Sequence, residues 1–190
     1  DFGEQALEVL ERLTATNEFD MIVLDSTAAL VPKAEAEAEM EKESMGLQAR
    51  MLSKALRKLT PVVGKTKTVV VFIKQTRQSM AMYGNPTTTP GGEALKFYSS
   101  VRLNVRKVSG SEIKDGTTIL GHRIHINVVK NKVAPPLRTA ELNFIFGKGI
   151  DTSLDMVEYA LNSGALEHKG NTYSFGDKKW VGRENTIAAI

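Results

Sequence analysis

Residues 66–92 read TKTVVVFIKQTRQSMAMYGNPTTTPGG, and the change of character midway decides the fold class. Val69 to Ile73 is an unbroken, largely β-branched apolar run, which predicts a buried strand. Lys74, Gln75, Thr76 and Arg77 end it abruptly. Some fifteen residues with neither helical nor strand periodicity follow, carrying Met80, Met82, Tyr83 and three successive threonines before Gly91 and Gly92. Connections of that length in a compact domain are usually functional or disordered.

Upstream, DMIVLDS (residues 20–26) is a second short apolar run bounded by polar residues, hence a second buried strand. Ala6, Leu7, Leu10 and Leu13 recur at helical spacing before it. SMGLQARMLSKALRKL (residues 44–59) sets Leu47, Met51, Leu52, Ala55, Leu56 and Leu59 on one helical face, with Lys54, Arg57 and Lys58 on the other. Pro61 and Gly64 are expected to end that helix. Downstream, GGEALKFYSSV reads as a short helix. VRLNVRKV, LGHRIHINVVKNK and RTAELNFIF alternate like strands open on one side, the first two joined through the turn KDGT. A helix follows from Asp151, then short segments with Gly170 and Gly176 at turns.

Helix and buried strand alternate first and antiparallel strands come after. The expected fold is therefore α/β: a mostly parallel central sheet extended by antiparallel strands, with helices on both faces. In such sheets ligands sit beyond the carboxyl ends of the parallel strands, which singles out Asp25 and Gln75.

Composition excludes several classes. The chain has 190 residues, no cysteine, and no apolar run of membrane-spanning length, so disulfides, thiolate metal sites and a membrane partner are not expected; a reducing cytoplasm fits. His122, His125 and His168 lack ligand spacing. The net charge of +3 hides an asymmetry: residues 1–45 hold 12 acids against 3 bases, while the remainder hold 10 acids against 22 bases. A basic segment of that size suits a polyanion or simply a solvated surface.

Gly64-Lys65-Thr66 imitates the tail of a phosphate-binding loop, but Leu59 stands where its first glycine belongs and the strand follows instead of preceding it. Asp25 can hold Mg²⁺ through water or cap a strand end; Ser26 lies beside it. Gln75 can sense a terminal phosphate, orient water, or satisfy backbone at a strand end. Lys130 and Lys132 share one strand face, where they either repel each other in solvent or share an anion. Met80, Met82 and Tyr83 could wedge between or stack on bases, and Gly91 and Gly92 leave N–H groups open to a phosphate.

Together, IVLDSTAALVPKAE, GLQARMLSKALRKL, NPTTTPGGEALKFYSSVRL and VVKNKVAPP resemble the bacterial RecA recombinase family, collinearly from about Gly3 to GRENT near the end. The resemblance implies a RecA-type ATPase core that forms a helical homo-oligomeric filament on single-stranded DNA, pairs it with double-stranded DNA, and uses ATP and Mg²⁺. A LexA-like repressor is an implied partner. By that likeness Asp25 serves Mg²⁺ and, with Ser26, the nucleotide. Gln75 is the catalytic-site link to the DNA-binding segment that follows, with Arg77 in the same switch. Met45, Arg50, Ser53, Arg57, Met80, Met82, Tyr83, Gly91 and Gly92 fall on DNA-contacting positions. Lys96 and Phe97 match a subunit interface, and Lys130, Lys132 and Pro136 match residues reaching ATP on the adjacent protomer.

Residues 1–150 thus read as the later part of the ATPase core and 151–190 as the start of a C-terminal domain. The family's phosphate loop and catalytic glutamate belong before Asp1, so this chain alone is expected to be inactive and residues 76–91 disordered. Three departures stand out: KQTR replaces the family's NQIR, Glu93 replaces an asparagine or base, and AEAEAEMEKES replaces a glycine-rich first loop. The alternatives are a non-enzymatic DNA-binding or filament-accessory module and a ring helicase; the latter gives no reason for NPTTTPGG or KNK.

Overall fold

The computed structural model describes residues 2–38, 46–75, 77–78, 87–88 and 92–189. It divides into two units, residues 1–99 and 100–190.

In the first unit, helix α1 (Gly3–Thr16) leads into strand β1 (Met21–Leu24), a 3₁₀ turn (Thr27–Ala29) and the short helix α2 (Lys33–Ala36). Helix α3 (Leu47–Val63) and strand β2 (Val69–Phe72) follow, then the two-residue strands β3 (Arg77–Gln78) and β4 (Thr87–Thr88) and helix α4 (Ala94–Tyr98). β1 and β2 run parallel, Met21 opposite Val69 through Leu24 opposite Phe72. Leu7 and Leu10 from α1, Leu30, and Met51, Leu52 and Leu59 from α3 form the core, packed on Ile22, Leu24, Val70 and Phe72.

Both apolar runs form the expected strands, and among the described residues the packed side of each is the one turned to the helices. Met21, Val23, Val69 and Ile73, the alternate residues, are 58%, 52%, 54% and 42% exposed. Among the described residues the parallel sheet has two strands, and α1 and α3 lie on the one face that Ile22, Leu24, Val70 and Phe72 provide.

Two helical details also differ from expectation. Thr14, not Leu13, completes the buried stripe of α1; Leu13 is 37% exposed while the Thr14 hydroxyl donates to the Leu10 carbonyl at 2.8 Å. That back-bond satisfies the hydroxyl inside the core. Nor does Pro61 end α3, which continues to Val63 before Gly64. A proline in the last turn removes one N–H but leaves the remaining turn intact, and Gly64 N–H still reaches the Thr60 carbonyl at 3.0 Å.

Leu52 is completely buried at the centre of this core. Replacing it with alanine is expected to destabilise the full-length protein by about 3 kcal/mol through lost burial and a residual cavity. Denaturant unfolding checks this, and a loss under about 1 kcal/mol would contradict the packing described.

The second unit is built on a long hairpin, β5 (Val101–Asp115) and β6 (Thr118–Asn131), continued by β7 (Thr139–Ile145) and β8 (Gly149–Ile150) as one antiparallel sheet. Parallel strands thus come first in the chain and antiparallel strands after them, as expected of the mixed α/β fold. β6 and β7 touch at Gly121, where an added Cβ would meet the Phe144 carbonyl oxygen at 2.0 Å, so no side chain fits. Helix α5 (Thr152–Asn162), strands β9 (Glu167–Lys169), β10 (Thr172–Phe175) and β11 (Lys178–Val181), and helix α6 (Arg183–Ala188) complete the unit. Asp151 caps α5, its carboxylate accepting from the Leu154 N–H at 3.0 Å. Val157, Leu166 and Tyr173 form a second core with Trp180 and Ile187. No helix among the described residues is long and apolar enough to cross a membrane.

Candidate functional site

Parallel pairing brings the ends of β1 and β2 to one edge of the sheet. Ile73 N–H donates to the Leu24 carbonyl at 3.0 Å and the Ile73 carbonyl accepts from Thr27 N–H at 2.9 Å. Asp25 and Ser26 directly follow β1, and Lys74 and Gln75 follow Ile73 beyond β2, at the carboxyl ends where ligands of α/β sheets bind. Asp25 and Gln75 are exposed and Ser26 is half-buried. The Asp25–Ser26 peptide is cis.

A cavity of about 750 Å³ opens along β1 and α1, lined by Asp25 and Ser26 and by Glu8, Val9, Arg12 and Leu13. Asp25 and the exposed Glu8 are the carboxylates that line this space, and Mg²⁺ in nucleotide sites is held through one or two carboxylates with phosphate and water in the other positions. Among the described residues no group of three or more His, Cys, Asp or Glu side chains gathers as a protein cage for a metal.

Gln48 of α3 is a contributor that sequence reading passed over. Its amide nitrogen donates to the carbonyls of Thr27 and Leu30 at 2.9 and 3.1 Å, tying the loop after Asp25 to α3. Nothing in the local pattern marks it, because both acceptors lie some twenty residues away in sequence. Thr27 is 1% exposed, and its buried hydroxyl has no hydrogen-bond partner among the described residues.

On α3 itself, Arg50 and Arg57 are exposed and Ser53 is half-buried. Arg50 lines a groove of about 300 Å³ with Lys54 and Lys58, and Glu4, Glu8 and Glu11 of α1 line it too. Part of the basic face thus looks onto acidic side chains of the same unit, an arrangement that moderates its positive potential.

The segment after Gln75 is described only at its stem, where Arg77 pairs with Thr88 and Gln78 with Thr87, antiparallel. Met45, Met80, Met82, Tyr83 and Gly91 lie outside the described residues, as does the expectation about the conformation of 76–91; of Arg77 only the backbone is described. Gly92 has φ +73°, and an added Cβ would stand 2.7 Å from that of Ala49 on α3. Just before α4, Glu93 forms an ion pair with Lys96 of that helix at 2.6 Å, which offsets its charge. Phe97 is 73% exposed.

In the second unit Arg102 stands opposite Lys130 across β5 and β6. Lost hydration first, then the positive charges of Lys132 and Arg102, hold the Lys130 ammonium below the usual lysine value. Three cations share this spot, the electrostatic preparation an anion site needs. Asn131 between the lysines turns the chain: its side-chain oxygen accepts from Val133 and Ala134 N–H at 2.9 and 3.1 Å. Pro136 follows on the exposed strand-to-strand connection. Arg102 and Asn131 were not singled out from sequence; the KNK spacing pointed to the lysines but not to what faces or folds them.

Residues 1–151 match the sequence model of the RecA N-terminal domain. The chain is 54% identical over 180 residues to Protein RecA of Thermus aquaticus, covering 94% of this chain and 53% of that protein. Protein RecA of Thermus thermophilus is 50% identical over 192 residues, covering 100% of this chain and 56% of that protein. Protein RecA of Heliobacterium modesticaldum is 52% identical over 187 residues, with 97% and 54% covered. The chain spans about half the length of the curated relatives it matches.

Proposed function

The chain belongs to the RecA family, and on that premise we propose that it serves a DNA recombinase that assembles as an ATP-dependent filament on single-stranded DNA. In this reading residues 1–150 are the later part of the ATPase core and 151–190 the start of a C-terminal domain. The complete protein hydrolyses ATP in a DNA-dependent manner, pairs homologous strands in recombinational repair, and works in the cytoplasm. Co-activation of a LexA-like repressor belongs to the same proposal. The family match favours this over an accessory module that never hydrolysed ATP.

The observation that carries the reading is the shared edge of β1 and β2. Asp25 and Gln75 stand there together, and the segment proposed to grip DNA leaves directly after Gln75 and returns at Gly92 against α3. Asp25 would hold Mg²⁺, with Ser26 beside it, and the metal would supply positive charge against the nucleotide's phosphates. Gln75 would hydrogen bond the terminal phosphate, and its position then sets the segment that follows. Lys130 and Lys132, with Pro136 beside them, would reach the nucleotide of the neighbouring protomer, so that assembly and nucleotide binding support each other. Lys96 and Phe97 lie on the proposed subunit interface.

Arg50 and Arg57 would meet DNA phosphates, with Ser53, Met45, Arg77, Met80, Met82, Tyr83, Gly91 and Gly92 completing the DNA-facing set. The expected signature is electrostatic. For the full-length protein with a slowly hydrolysed ATP analogue, log affinity for single-stranded DNA is expected to fall against log salt with a slope of about −2 or steeper, three or more phosphates being contacted. A slope between zero and about −0.7, the value for one phosphate or fewer, would contradict the DNA reading.

A further inference from the structure

Lys74 follows Ile73 just beyond the end of β2. Lys74 is half-buried there, while Gln75 is exposed. There the Lys74 ammonium donates to the Gly92 carbonyl oxygen at 3.1 Å in partly buried surroundings. A hydrogen bond from a charged donor, partly screened from water, is among the stronger ones available. The same Gly92 abuts Ala49 of α3 so closely that no side chain fits there. The residue at which the 76–91 stretch ends is thus held from one side by α3 and from the other by the strand at which the stretch begins.

We propose that Lys74 is a positioning residue that fastens the exit of this stretch to the end of β2, so that Gly92, Glu93 and the start of α4 follow the strand end carrying Gln75. The two ends of the stretch then move as one. This rests on the reading of Gln75 as the nucleotide sensor and adds how its state reaches the far end of the stretch.

Lys74→Met and Lys74→Arg in the full-length protein test it by two readouts. The first is backbone amide exchange over residues 92–98. Lys74→Met is expected to speed exchange there by at least about fivefold, with Met51 to Leu59 of α3 unchanged. The second is the gain in single-stranded DNA affinity on adding a slowly hydrolysed ATP analogue, expected to drop by about fivefold or more. Lys74→Arg keeps the cation and is expected to restore both. Unchanged exchange over 92–98 in Lys74→Met overturns the proposal. So does an arginine variant as impaired as the methionine variant, or faster exchange with an undiminished DNA gain. If the wild type itself shows no gain with nucleotide, the sensor reading falls, and the exchange comparison alone decides the fastening.

Discussion

Asp25→Asn in the full-length protein is expected to lower DNA-stimulated ATP hydrolysis by roughly 10- to 100-fold, with little change in stability. Asp25 is exposed at the end of β1 and lies outside the buried core, so an isosteric neutral side chain disturbs no packing. What the substitution removes is a negative charge beside the proposed Mg²⁺. Ligands acting on a metal through water typically contribute 10- to 100-fold to affinity or activity. Raising Mg²⁺ should recover part of the loss if the defect lies in metal affinity. Steady-state ATPase rates against Mg²⁺ concentration check this, and wild-type rates at limiting Mg²⁺ would remove Asp25 from the site.

Gln75→Ala is expected to act differently. Gln75 is exposed beyond the last β2 pairing and takes no part in the core, so folding and nucleotide binding should survive its loss. The link between nucleotide and DNA should not. Coupling free energies between sites typically run 1–3 kcal/mol, so removing the linking group is expected to cut the nucleotide-dependent gain in DNA affinity by about tenfold or more. Affinity without nucleotide should stay within about twofold of wild type, because no DNA contact is removed. Binding isotherms in both nucleotide states check it. A variant weakened equally in both would make Gln75 a plain DNA contact.

Local pattern made much of this legible. The apolar runs ending at Asp25 and Gln75 announced two strands, and their order with the amphipathic helix announced an α/β arrangement. The Leu47–Leu59 stripe named the buried face of α3, since an amphipathic helix must turn its apolar side to the core. Hidden from that pattern were contacts between residues distant in sequence. Gln48 reaches Thr27 and Leu30, and Lys74 reaches Gly92; none of these pairs leaves a periodic trace. The runs predicted burial but not that Met21, Val23, Val69 and Ile73 would stay exposed, because a run of apolar residues does not say which faces of the sheet are covered. Thr14 displaced Leu13 from the core for a similar reason: a threonine that returns its hydroxyl to the helix backbone can be buried, and propensity alone does not reveal that.

In the proposed mechanism, occupancy of the strand ends at Asp25 and Gln75 sets the grip on DNA. The most direct measurement is the equilibrium affinity of the wild-type full-length protein for single-stranded DNA, at fixed salt and Mg²⁺, with and without a slowly hydrolysed ATP analogue. Binding is expected to be tighter by at least about tenfold with the analogue. Equal affinity in the two states would contradict it.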